Sequence, residues 1–187
     1  MRPFPALTIS NKISLIRVCF IIPLFLCMIQ VQHYSFYRYI CLFIILLIGL
    51  SDVLDGHIAR KRNEMTFLGK CLDPIADKLV IAISCLILSS NNIWPEPRFP
   101  YWLPTIIICK DILLIFGSVI FLIITGEIHF QPTTIGKITT FLQITAVISV
   151  LIGNHVPASI LLVIWKMTII FTLVSGILYA YLAIKRL

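Results

Sequence analysis

Four aspartates stand at fixed intervals in the segment SDVLDGHIARKRNEMTFLGKCLDPIADK, as Asp52, Asp55, Asp73 and Asp77. They fall where apolar stretches meet a basic one. Like charges a few ångströms apart repel by about 4 kcal/mol at an effective dielectric near 20, and carboxylates beside a bilayer are costly in themselves. Divalent cations are the natural means of offsetting that cost. All-oxygen ligation suits magnesium or manganese rather than zinc. No His or Cys sits at ligand spacing, and His57 falls on a different helical face from Asp52 and Asp55. Two ions held by these carboxylates would neutralise the cluster and attract a diphosphate. Metals on a phosphoanhydride stabilise charge on the attacking and leaving oxygens, and an adjacent aspartate can accept the proton of an attacking hydroxyl.

The spacing places these groups on helices. Asp52 and Asp55, at i and i+3, share one face near the end of an apolar segment. Gly56 extends that face without a side chain, leaving room for a ligand against the backbone. Ala59 keeps the next turn slim, and Arg60 is placed to pair with Asp55 or with a phosphate. Asp73 and Asp77, at i and i+4, share a face at the start of the next segment, with Pro74 expected in its first turn. Loop aspartates that merely balance Arg60, Lys61, Arg62, Lys70 and Lys78 would not need two glycines and an arginine in this register.

The elements that must hold the cluster are apolar. The chain is 59% hydrophobic and 12% charged, with a mean hydropathy of +1.03. A soluble domain carries about twice that charged fraction. Six apolar segments follow one another, at about Ile13–Val31, Tyr37–Leu54, Pro74–Ser90, Trp102–Thr125, Thr134–Ile152 and Pro157–Ile184. NNIWPEPRFP, GEIHFQP and GNHVP break the later ones apart. The first is expected to be a retained helix, because no small-residue cleavage site follows Gln30.

Placing the N-terminus inside gathers Arg2, Lys12, Arg60, Lys61, Arg62, Lys70, Lys137, Lys185 and Arg186 on the cytoplasmic side. Arg38 and Arg98 remain outside, an asymmetry that sets both termini and the aspartates in the cytoplasm. The expected fold is an all-α integral membrane protein of six transmembrane helices, in one domain over residues 1–187. The net charge of +7 reads as positive-inside bias and attraction to anionic lipid, not as a nucleic-acid footprint. The six cysteines, without a CxxC pair, read as small buried hydrophobes.

At every fixed position the segment resembles the D-x2-D-G-x2-A-R-x8-G-x3-D-x3-D pattern of the CDP-alcohol phosphatidyltransferase family. That resemblance implies a six-helix membrane enzyme that displaces CMP from CDP-diacylglycerol with an alcohol oxygen. It implies two Mg2+ or Mn2+ ions on Asp52, Asp55, Asp73 and Asp77, with Asp77 also the base on the acceptor hydroxyl. It assigns Gly56, Ala59 and Gly69 to the cytidine pocket and Arg60 to the neighbourhood of the diphosphate. A homodimer in a bacterial inner membrane, its site facing the cytoplasm, is the implied setting.

Other stretches bear on the acceptor. TISNKISLIR is similar to the PN-x2-T-x2-R opening of the phosphatidylglycerophosphate synthase and cardiolipin synthase branch, with Asn11, Ser14 and Arg17 on the matching positions. Ser10 and Ser14 depart from the usual proline and threonine. Asn11 and Arg17 are thereby assigned to the CDP-lipid, the alternative being a capping Asn and a snorkelling Arg. PTTIGKITTFLQ is similar to the GK-x-KT-x2-Q stretch of the same branch; Lys137 becomes an acceptor ligand, and Thr139 replaces the second lysine. Lys137 as a plain positive-inside anchor is the alternative.

Lys110 and Asp111 lie within the fourth apolar segment, and charge there is a functional signal by default. Lys110 is assigned to the acceptor, and a Lys166–Asp111 pair is the structural alternative. Glycerol 3-phosphate, giving phosphatidylglycerophosphate, is the first acceptor expected. Phosphatidylglycerol, giving cardiolipin, is the second. A small cation transporter with an interfacial acidic site is the rival from another class, although no internal repeat supports it.

Overall fold

An apolar chain in a bilayer must satisfy its backbone amides within the segment, which favours helices. The computed structural model describes the backbone of residues 9–62, 67–125 and 134–186, and the side chains of 19–51, 78–117, 134–153 and 155–182. The helices are α1 (Ile9–Gln30), α2 (Tyr37–Arg62), α3 (Phe67–Ser89), α4 (Trp102–Thr125), α5 (Thr134–Ile152) and α6 (Ala158–Arg186). A 3-10 turn at Gly153–His155 joins the last two, and no strand occurs among the described residues. Thr134–Ile152 and Ala158–Leu182 are long and apolar enough to cross a membrane by length and composition.

The expected bounds of α4 and α5 agree with the structure. Those of α2 and α3 do not. α2 runs on past Leu54 to Arg62, and α3 opens at Phe67 rather than Pro74. Loss of apolar character is not loss of helix: Ala, Arg and Lys are among the best helix formers, so the polar register continues the coil. Pro74 therefore lies inside α3, not in its first turn.

The chain divides into two compact units, Met1–Ile83 and Ser84–Leu187. In the first, α1 packs on α2, and Leu24 and Met28 of α1 and Cys41, Ile44 and Ile48 of α2 are buried. Each set recurs at three or four residues, the period of one helical face. In the second, α6 packs against both α4 and α5. Leu103 and Ile107 of α4, Val150 and Leu151 of α5, and Leu161 of α6 are buried there.

The connection before α4 folds back onto this unit. The Phe99 amide donates to the Leu88 carbonyl at 2.9 Å, and the Phe99 ring meets Trp165 edge-on at a centroid distance of 5.8 Å. Between α5 and α6, Gly153 adopts φ 71°. That left-handed geometry suits glycine at a helix end. Polarity in this unit is inverted relative to a soluble protein. Leu113, Phe141 and Ile177 are about 70% exposed, whereas Thr139, Gln143, Thr168, Thr172 and Ser175 are fully buried. Small and polar residues at helix seams, with bulky aliphatics outside, are the pattern of helices packed in lipid.

Candidate active site

The continuity of α2 and α3 decides how the motif residues are arrayed. Asp52, Asp55, Gly56, Ala59 and Arg60 all belong to α2, and Gly69, Asp73 and Asp77 all belong to α3. At 100° per residue, Asp52, Asp55, Gly56 and Ala59 fall in a stripe about 100° wide, with Arg60 at its margin. Gly69, Asp73 and Asp77 fall in a stripe about 80° wide on α3. Each helix thus carries two carboxylates and a glycine on a single face. Mg2+ and Mn2+ take six oxygens in octahedral geometry, from carboxylates, water and phosphate, so an all-carboxylate donor set fits the expected ions. The side chains of these eight residues, and of Asn11 and Arg17 on α1, lie outside the described residues.

Immediately upstream, the Ser51 hydroxyl donates to the Leu47 carbonyl at 2.8 Å. That bond keeps a polar side chain within its own helix one residue before Asp52.

The GK-containing stretch forms the opening of α5. Lys137 is exposed in the first turn. Thr139 is fully buried, and its hydroxyl donates to Ile135 O at 2.8 Å and reaches Phe171 O on α6 at 3.1 Å. The position that departs from the lysine pattern therefore serves the α5–α6 seam. Gln143 continues the seam, its Nε2 donating to Thr172 Oγ1 at 3.4 Å. Thr168 adds contacts to Ile164 O and Leu142 O at 2.8 and 3.3 Å. Gln143 Oε1 and Ser175 Oγ are buried without a hydrogen-bond partner among the described residues. Thr168, Thr172 and Ser175 were readable in the sequence as a polar i, i+4, i+7 stripe on an apolar helix, the signal of a packed seam.

Lys110 and Asp111 pair with each other: Nζ lies 2.8 Å from Oδ1, and both side chains are 8% exposed. The alternative Lys166–Asp111 pair is not formed. Lys166 is exposed on α6, and Asp111 takes the ammonium beside it in sequence. The cysteine expectation is also corrected in part. Cys41 and Cys85 are buried, but Cys19 and Cys109 are exposed on their apolar helices, and all five described cysteines are unpaired.

Helix directions set the level of the Lys110 pair within the second unit. Thr139 meets Phe171 and Leu142 meets Thr168, so α5 and α6 are antiparallel. Phe99 meets Trp165, and a Cβ built on Gly176 would lie 3.3 Å from Lys110 Cγ, so α4 and α6 run the same way. Gly176 lies about 7.5 Å beyond Phe171 along α6, at 1.5 Å per residue. The same step back along α5 from Thr139 reaches Thr134. Lys110 therefore meets α6 level with the first turn of α5, the turn that bears Lys137.

Comparison with known proteins agrees with the motif. A family model described as CDP-alcohol phosphatidyltransferase matches residues 7–178. The CDP-diacylglycerol–glycerol-3-phosphate 3-phosphatidyltransferase of Bacillus subtilis (strain 168) is 35% identical over 132 residues, covering 67% of this chain and 64% of that protein. The protein of the same description from Aquifex aeolicus (strain VF5) is 29% identical over 185 residues, 97% of this chain and 98% of its own length. A human cardiolipin synthase (CMP-forming) is 29% identical over 195 residues, 93% of this chain and 60% of that protein. The chain thus spans slightly under two thirds of the B. subtilis relative and nearly all of the A. aeolicus one.

Proposed function

Because the chain belongs to the CDP-alcohol phosphatidyltransferase family, we propose that it transfers the phosphatidyl group of CDP-diacylglycerol to glycerol 3-phosphate. The products are phosphatidylglycerophosphate and CMP. The observation that carries this reading is the complete aspartate–glycine–arginine register on α2 and α3, each helix continuous through its part. Relatives at 35% and 29% identity described as acting on glycerol 3-phosphate support that acceptor.

Asp52, Asp55, Asp73 and Asp77 would hold the two Mg2+ or Mn2+ ions. Bound there, the ions supply charge stabilisation on the diphosphate as its anhydride bond breaks. The chain supplies the rest. Asp77 accepts the proton of the acceptor hydroxyl, whose oxygen attacks the phosphatidyl phosphorus while CMP departs with the bridging oxygen. Gly56, Ala59 and Gly69 leave room for the cytidine, and Arg60 pairs with diphosphate oxygens. Asn11 and Arg17 bind the lipid's phosphate side, and Lys137 and Lys110 bind the acceptor.

The setting completes the reading. One domain over residues 1–187 crosses the bacterial inner membrane six times, as a homodimer, with both termini and the aspartates in the cytoplasm. The excess of Lys and Arg on that side supports the orientation.

A second acceptor, phosphatidylglycerol, is favoured by one observation. Thr139 spends its hydroxyl on α6 and offers no cation to an acceptor phosphate. The human relative is described as a cardiolipin synthase. Purified protein in detergent, given CDP-diacylglycerol and magnesium, separates the readings when acceptors are offered in turn and the lipid product is weighed. Phosphatidylglycerophosphate supports the first and cardiolipin the second. Release of CMP with neither would overturn the acceptor assignment, and no release at all would overturn the transferase. Chelator should abolish turnover and Mg2+ or Mn2+ restore it; turnover that persists in chelator rules out the metal role.

A further inference from the structure

Two cations of the second unit each lie one residue from a single ring contact. The Phe99 and Trp165 rings meet at 5.8 Å, with Arg98 beside the first in sequence and Lys166 beside the second. Arg98, its side chain 36% exposed, pairs with Glu96 at 3.2 Å. Lys166 is exposed and makes no ion pair among the described residues. At 100° per residue it stands 100° round α6 from Trp165, on the side away from Thr168 and Phe171, which meet α5. Its own side is apolar: Val163, Ile170 and Leu173, three, four and seven residues away, are all half exposed or more. The span Ala158–Leu182 is about 37 Å long at 1.5 Å per residue, against an apolar layer of about 30 Å. Lys166 starts about 12 Å along it, and its stem leans back toward the helix N-terminus. Tyr101 and Trp102, just after Phe99, are exposed too, and such rings mark the head-group level. A cavity of about 310 Å³ opens there, with Asn91, Glu96, Arg98, Tyr101 and Trp165 in its lining.

We propose that this end of the second unit holds the phosphodiester of an anionic phospholipid, with Lys166 and Arg98 as its ligands. The inference rests on α6 crossing the membrane, and it uses none of the residues assigned to the transferase reaction. An ammonium among acyl chains is costly, and it lowers that cost by reaching back to the interface. The anion it meets at that level is a lipid phosphate. Arg98 has donors left for the same phosphate, because one carboxylate contact at an exposed site neither exhausts nor tightly holds a guanidinium with five N–H groups. Charge selects the lipid. Two cations against the Glu96 carboxylate leave one positive charge, which a phosphodiester bearing no cation of its own balances. A zwitterionic head group brings its own cation and gains less.

The chain's three tryptophans, Trp94, Trp102 and Trp165, all lie in this unit, and the ring of Trp165 lines the cavity, so their fluorescence reports lipid bound there. Full-length protein in a phosphate-free detergent is titrated with phospholipid brominated on its acyl chains near the glycerol. Phosphatidylmethanol, with one negative charge and no hydroxyl to react, is compared with zwitterionic phosphatidylcholine. Wild type should bind the anionic lipid about fivefold more tightly, the effect of one net positive charge at the head-group level. Lys166→Met and Arg98→Gln should each bring that preference below about twofold, and Lys166→Arg should retain it. Unchanged binding of phosphatidylcholine in each variant marks an intact fold. Millimolar inorganic phosphate should not displace the brominated lipid. Equal binding of the two lipids by wild type overturns the proposal, and is the outcome expected where a second copy of the chain covers Lys166. A preference that survives in Lys166→Met/Arg98→Gln overturns it equally. Displacement by inorganic phosphate overturns the lipid as the source of the phosphate. Protein recovered soluble after lysis, without detergent, overturns the membrane reading itself and is seen before any lipid is added.

Discussion

In the proposed reaction Asp77 differs from the other three aspartates, because it alone is assigned the acceptor's proton. It is the last of the motif, a full turn beyond Asp73 on the same face of α3. A carboxylate in contact with the ions and with the acceptor hydroxyl has two tasks, and amide substitution separates them. Asn keeps an oxygen for the metal but accepts no proton. Asp77→Asn should lower kcat about 10²- to 10⁴-fold, the usual range for loss of a general base. Binding of Mn2+, followed by its paramagnetic signal, should persist more weakly. A variant with wild-type kcat would move the base elsewhere in the motif. Lys110 shows how far residue identity alone misleads. Counted from the start of its own helix it lies mid-membrane. Counted against α6, through Gly176, it lies level with the first turn of α5.

Among the elements, α4 and α5 were legible in full because turn-forming stretches bound them, and apolar composition ends where the helix does. α2 and α3 were legible only in their apolar parts. Hydropathy measures where lipid ends, while helix continues as long as each residue finds its i−4 partner, and the motif residues do so to Arg62 and from Phe67. The α5–α6 seam was half visible. Gln143 and Thr139 stood in a recognised stretch, but that Thr139 faces Phe171 is a matter of helix pairing, which one sequence does not encode locally. The turn between these helices gives a direct test. Gly153 sits at φ 71°, and the Val156 amide closes the turn on its carbonyl at 3.1 Å. An L side chain there costs about 1–2 kcal/mol. Gly153→Ala should therefore lower the thermal midpoint of the detergent-solubilised protein by a few degrees and leave both KM values in place. An unchanged midpoint would mean that the turn relaxes out of the left-handed region.

For the molecule as a whole, the proposed orientation rests on charge. The loop holding Asn91, Asn92, Glu96 and Arg98 carries a single cation, paired to Glu96 at 3.2 Å, whereas the α6 terminus ends in Lys185 and Arg186. Asn92 is exposed at the start of the loop and suits a reporter. In a background without native cysteines, Asn92→Cys should react with a membrane-impermeant maleimide in intact cells. Lys185→Cys should react only after permeabilisation, because each Lys or Arg near a helix end adds to its retention inside. Labelling of both from outside would place an even number of crossings between them, against the three proposed. Labelling of Lys185→Cys alone would invert the proposed orientation. The labelling pattern thus tests the proposed orientation separately from the chemistry, which CMP release and chelation test.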